Sequence, residues 1–142
     1  MMSTENVEIE IDISSDFWDA APRTKIWLDD TVLLQSTVIT EPTKVKFAGT
    51  LAEGEHELRI MLGGKDGKSQ TIMQDGKIIK DQVLNIDGIN FDGIDLGFLV
   101  NKLGVYETED GSTLEGVVNL GVNGVWKLKF NAPIYLWLLE HL

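Results

Sequence analysis

The stretch Val7-Glu8-Ile9-Glu10-Ile11-Asp12-Ile13 decides the fold. Apolar and acidic side chains alternate along it without a break. A period of two is the repeat of a strand with one face buried and the other wet. Downstream, Ser14-Ser15-Asp16 ends the pattern, and residues 24–28 resume it with Ile26 and Leu28 alternating against Lys25 and Trp27. Asp29-Asp30 then reads as a turn and Val32-Leu33-Leu34 as the return strand of a hairpin. Further strands are predicted over 44–48 (Val45 and Phe47 inward), 56–62 (Leu58, Ile60 and Leu62 inward), 83–91 and 125–130. Glu41-Pro42 and Glu53-Gly54 punctuate them, as do the pairs Asp66-Gly67, Asp75-Gly76, Asp87-Gly88, Asp92-Gly93 and Asp110-Gly111. Asn123-Gly124 reads as a type I′ hairpin signal. Short strands at this spacing predict an all-β fold, an antiparallel β-sandwich or jelly roll, and exclude a parallel α/β fold.

The chain has 142 residues, the size of one domain, so 1–142 is expected to be a single sandwich. With 43% hydrophobic and 25% charged residues, 14 Gly and 3 Pro, it has the composition of a folded globular protein. Twelve Lys and Arg against 23 Asp and Glu give a formal charge of -11, which argues against nucleic-acid and anionic-membrane partners. The absence of cysteine removes disulfides and sulfur-ligated metals. Residues 1–10 carry acids where a secretory signal carries a basic and then an apolar region, so the chain is expected to be made in the cytoplasm without a signal peptide. The longest apolar run, 134–139, falls far short of the roughly 20 residues of a membrane span. That run follows Asn131-Ala132-Pro133 and fits either a helix start or a strand apolar on both faces. Either way it forms a short apolar C-terminal extension, with Ile134, Tyr135, Trp137 and Leu139 as candidates for docking against the sandwich or another chain.

Catalytic signatures are sparse. His56 and His141 are the two histidines, and the nucleophile elbow, the zinc-protease helix, the phosphate-binding loop and the dinucleotide fingerprint are all absent. His56 reads as a strand-edge residue and not as a general base, so no enzymatic activity is expected. Two kinds of ligand chemistry remain. Asp66, Asp75 and Asp81 surround a glycine-rich segment, 63–80, of the sort that offers oxygen ligands to calcium, although Lys65, Lys68, Lys77 and Lys80 in the same segment oppose a cation. Of the tryptophans, Trp18 in a polar segment and Trp27 on the polar face of its strand are the ones the pattern leaves exposed, as stacking faces for a sugar ring or a partner.

One segment also carries a family resemblance. Asp81, Leu84, Ile86, Asp87, Ile89, Phe91 and Gly93, within 81–93, match a strand pattern of the small calcium-dependent xylan-binding modules. Pro22 before Ile26-Trp27-Leu28-Asp29, and Gly54-Glu55-His56-Glu57-Leu58-Arg59-Ile60, are similar to two earlier strands of that family. The likeness covers residues 5–95 and implies a jelly-roll carbohydrate-binding module, with calcium held through Asp81 and its neighbour Asp75. Where the family has an Arg-Asn pair, this chain has Gln82-Val83. The segment 120–140 resembles the C-terminal ends of small virion proteins of tailed phages. Together these resemblances imply a non-catalytic accessory or decoration protein of a phage particle, partnered by other virion proteins or by itself and by polysaccharide. Residues 1–95 would then form the module-like part, and 96–142 would add strands and the docking tail. The alternative they imply is a free calcium-dependent carbohydrate-binding module.

Overall fold

The alternating stretch lies at the heart of β1 (Thr4–Asp16), where Val7, Ile9, Ile11 and Ile13 are buried and Glu8, Glu10 and Asp12 face out. The structure, a computed structural model, describes residues 4–17, 21–63, 72–74, 77–80 and 83–141, and the side chains of all of these except 72–74 and 77–80. After β1 come β2 (Arg23–Leu28), β3 (Thr31–Val38), β4 (Thr43–Ala52), β5 (Gly54–Gly63), β6 (Ile72–Gln74), β7 (Lys77–Lys80), β8 (Val83–Phe91) and β9 (Ile94–Asp95). A short helix, α1 (Leu99–Leu103), precedes β10 (Val105–Thr108), β11 (Thr113–Glu115), β12 (Asn119–Leu120), β13 (Gly124–Ala132) and a terminal helix, α2 (Ile134–Glu140).

These strands form two antiparallel sheets, so the chain is an all-β sandwich. One sheet has the order β12-β8-β1-β4, with β9 added beside β8; the other runs β11-β10-β13-β5-β2-β3, and β6 and β7 pair separately. The strands of 96–142 are built into both sheets: β12 lies beside β8, and β13 lies between β5 and β10. Between the sheets, the isoleucines of β1 and Leu84, Ile86, Ile89 and Phe91 of β8 meet Ile26, Leu28, Leu58, Ile60, Trp126, Leu128 and Phe130 from the other layer. The only buried polar residue among those described is Thr24, whose hydroxyl donates to the Met61 carbonyl at 2.6 Å. That bond meets the requirement that a buried polar group find a partner.

Three turn signals resolve differently from one another. Asp92-Gly93 is a tight turn with both residues at positive φ (53° and 80°), the type I′ requirement, and it joins β8 to β9. Asp87-Gly88, by contrast, lies inside β8. Asp12 pairs with Gly88 and Ile13 with Ile86, so Asp87 is the extra residue of a bulge. The bulge shifts the buried positions of β8 from Leu84 and Ile86 to Ile89 and Phe91, which is how one strand keeps its apolar side chains inward across a break in alternation. Asn123-Gly124 makes no hairpin either, because β12 pairs with β8 in one sheet and β13 with β5 and β10 in the other. There the chain crosses between layers, and Gly124 is needed for space: a Cβ on it would meet the Glu107 carbonyl and Thr108 Cα.

The tail, open in the sequence between helix and strand, is the helix α2. It follows Pro133, whose fixed φ of -67° suits a helix start. Ile134, Trp137 and Leu138 turn inward and close one end of the sandwich. The Trp137 ring lies 6.0 Å from Phe91 and 6.1 Å from Phe130, and the Ile134 N–H donates to Glu5 Oε1 at 2.8 Å. At the opposite edge of this packing, Gly104 presses its backbone against the Trp126 ring, leaving no room for a Cβ. Gly104 has an ordinary extended conformation, so any cost of adding a methyl there is one of space alone. Gly104→Ala should therefore destabilise the fold by about 1–3 kcal/mol, the usual range for overpacking a core. Urea denaturation of the variant beside the parent measures this, and an unchanged midpoint would contradict the packing described.

Candidate functional site

Alternation places the odd-numbered residues of β2 and β5 and of β13 on the outer face of the six-stranded sheet. Register then brings distant parts of the chain side by side. Trp27 is opposite Arg59, which is opposite Lys127, which is opposite Val105. One step along, Lys25, Met61, Val125 and Glu107 make the next row, and Lys129 faces Glu57 on the other side. Neighbouring strands are about 4.8 Å apart, so a row from β2 to β10 spans about 14 Å.

Trp27 is half-buried, and cations crowd its ring. Lys25 Nζ lies 5.0 Å and the Arg59 guanidinium 5.2 Å from the ring centroid, both within cation–π range. Arg59 is fixed from two further sides: it donates to the Asp29 carbonyl at 2.6 Å, and its Nε lies 3.6 Å from Glu57 Oε1. Lys127 pairs with Glu107 at 2.8 Å. Beyond this pair the face deepens into a cleft of about 380 Å³ lined by residues including Met61, Glu107, Glu109, Asn123 and Lys127. No carboxylate among the described residues pairs with Lys25 or Lys129.

The β2–β3 turn that supports this row is itself held by charge. Asp29 takes a positive φ of 52°. Its carboxylate accepts from the Glu57 N–H at 2.9 Å and lies 2.6 Å from His56 Nδ1, while His56 Nε2 lies 2.6 Å from the Ala52 carbonyl. A carbonyl can only accept, so Nε2 donates, and a ring that also donates to a carboxylate is the imidazolium. Burial disfavours that charge, but the Ala52 carbonyl, the Asp29 carboxylate and the more distant Glu5 outweigh it, and the His56 pKa is raised above its ordinary 6.5. With both nitrogens engaged and the ring stacked on Phe130, His56 is a structural residue with no nitrogen left to act as a base.

The remaining sequence candidates are placed as follows. Trp18, Asp75 and Asp81 lie outside the described residues, so the calcium set is not described. Among the described residues, no group of three or more His, Asp or Glu side chains is arranged to hold a metal. In α2, Ile134 and Trp137 are buried within this chain, whereas Tyr135 and Leu139 are exposed. Those two border, with Ile94 and Phe98, an apolar recess of about 500 Å³ at the end of the sandwich. Phe98, 70% exposed just before α1, is a contributor that no periodicity marks. No described helix is long and apolar enough to cross a membrane.

No protein-family model and no curated protein sequence matches the chain significantly. Among solved structures, the chain is similar to vCBM60 in complex with galactobiose, with a TM-score of 0.52 and 14% identity over 85% of this chain and 96% of that one. It is also similar to a second vCBM60 structure, described with a circular permutation linking two families of calcium-dependent carbohydrate-binding modules. That match has a TM-score of 0.55 and 13% identity over 87% of this chain and 90% of that one. The fold is therefore an all-β sandwich that resembles the fold of these two carbohydrate-binding modules.

The charge state of His56 makes stability depend on pH. Its pKa is higher folded than unfolded, so its contribution is fully present below pH 6.5 and is lost as pH rises through the folded value. Denaturation midpoints between about pH 5.5 and about pH 9 should show this loss, and His56→Gln should remove it. A parent and variant with parallel profiles would show that the imidazolium does not form.

Proposed function

We propose that the chain is a non-catalytic carbohydrate-recognition protein that binds glycan on the outer face of its six-stranded sheet. The observation that carries this reading is Trp27, an outward indole in the middle of a polar row on a sandwich of the carbohydrate-binding-module type. A sugar ring offers C–H groups to an aromatic face and hydroxyls to flanking polar groups, and this row and the adjoining cleft supply both. The engagement of both His56 nitrogens supports the non-catalytic part.

In the finer form of this reading, the protein is an accessory or decoration protein of a phage particle, made in the host cytoplasm, with the sandwich facing glycan. The apolar end formed by Ile94, Phe98, Tyr135 and Leu139 is the specific observation that favours an attached protein over a free module. There it would meet another virion protein or a second copy. Calcium enters only through Asp75 and Asp81, as the resemblance of 81–93 implies.

Two measurements bear on this. On a glycan array followed by titration, Trp27→Ala should weaken binding about tenfold, or about 1.4 kcal/mol, with the melting temperature retained. A parent protein that binds no glycan would overturn the reading. Thermal unfolding with and without calcium tests the metal: at 100 times the dissociation constant a bound ion stabilises by about 2.7 kcal/mol, and Asp81→Ala should abolish the shift. An unchanged melting temperature in the parent would remove calcium from the proposal and leave the sheet-face site untouched.

A further inference from the structure

The two outer faces of the sandwich hold their lysines and arginines differently. On the five-stranded sheet, β1 presents Glu8, Glu10 and Asp12, and the lysines beside them are spent in pairs: Lys44 lies 3.3 Å from Glu10 and 3.9 Å from Asp12, and Lys46 3.5 Å from Glu10. On the six-stranded sheet, Arg23, Lys25, Arg59, Lys127 and Lys129 share one face across β2, β5 and β13. Of the lysines and arginines whose side chains are described, only Lys44, Lys46 and Lys102 lie elsewhere. A chain of formal charge -11 has thus gathered most of its described positive charge around one tryptophan.

Resting on the carbohydrate-recognition reading above, we propose that the ligand of this face is an acidic polysaccharide, carrying carboxylate or sulfate groups, laid across β2, β5 and β13. A neutral sugar stacks best on a bare indole. Here Lys25 and Arg59 stand within cation–π distance of the ring, so the surface offered around Trp27 is cationic as well as aromatic. Arg59 is held in place by the Asp29 carbonyl and Glu57, which preorganises its guanidinium for a planar anion. Lys25 and Lys129, with no carboxylate partner among the described residues, supply point charges on either side. Carboxylates border the strip: Glu57 and Glu107 are engaged with Arg59 and Lys127, Glu55 lies at the end of β5, Asp29 and Asp30 of the β2–β3 turn line a recess with Arg59 and Lys129, Glu109 lines the cleft beside Lys127, and Glu115 of β11 lies opposite Val105. A nucleic acid is the weaker candidate, because its closely spaced phosphates extend beyond this strip into the field of a strongly acidic protein.

The test is a titration of the full chain with polygalacturonate, a sulfated galactan, neutral galactan and single-stranded DNA. It is run at about 0.01 M and about 1 M NaCl, between which the Debye length shrinks from about 30 Å to about 3 Å. The expected result is binding of one or both acidic glycans at low salt, weakened about tenfold or more at high salt, with little binding of neutral galactan or DNA. Lys25→Gln with Lys129→Gln should weaken acidic-glycan binding about tenfold, while Lys44→Gln with Lys46→Gln on the opposite face leaves it unchanged. All four substitutions are on the surface, and matching melting curves confirm that the variants are folded. Polygalacturonate alone, or sulfated galactan alone, identifies the anionic group. Neutral galactan bound as tightly as the acidic glycans, through Trp27 and without salt dependence, overturns the acidic ligand while the carbohydrate-recognition reading stands. Equal binding of DNA overturns it as mere charge attraction, and failure to bind any of the three glycans overturns the acidic ligand, while a glycan array that also shows no binding overturns carbohydrate recognition itself.

Discussion

The pairing of β13 with β5 is the constraint on which the rest of the molecule depends. It runs from Gly124 opposite Leu62 to Ala132 opposite Gly54, and it joins residues far apart in the chain. On its inner side it delivers Trp126, Leu128 and Phe130 to the core, while on its outer side it sets Lys127 beside Arg59 and Lys129 beside Glu57. The end of β13 also launches α2 across the opening between the sheets, where Trp137 meets Phe91 and Phe130. Core, charged face and closed end thus follow from one register. A slip of one residue would turn the basic side chains inward and the aromatic ones outward, which the cost of burying lysine forbids.

The sequence showed the direction in which a side chain points far better than what stands beside it. Alternation in β1, β2 and β5 put Ile9, Leu58 and Ile60 inside and Trp27 outside, and the structure agrees, because a period of two is a local property of a half-buried strand. Strand neighbours are a different matter. That Trp27 meets Arg59 and that Asp29 bonds His56 depend on pairings between distant segments, which no local pattern encodes. The turn signals show the same limit. Asp-Gly states that a positive φ or a break is tolerated, and only the opposing strand decides whether it becomes the turn at Asp92-Gly93 or the bulge at Asp87. The helix α1 escaped because five residues are too few to show a helical period. The apolar tail was legible as apolar, but its division into buried Ile134 and Trp137 and exposed Tyr135 and Leu139 needed the sandwich end against which it rests.

Net charge is an average, and here the average conceals the arrangement. The acidic total comes with one sheet face whose two lysines are paired with carboxylates, and another where five lysines and arginines share three adjacent strands. Two sheets packed face to face separate such surfaces by the thickness of the core, about 10 Å between layers, so that at physiological ionic strength each face presents its own field.

The place of β13 in the sheet order also has a consequence in time. A chain made from its N-terminus completes β2, β3 and β5 long before residue 132 is available, and until then β5 lacks one of its two neighbours. The five-stranded sheet waits in the same way for β12. Both layers are therefore finished only by the last third of the polypeptide, and the nascent segment before it carries apolar strands with unsatisfied edges, the kind of species that invites chaperones or aggregation.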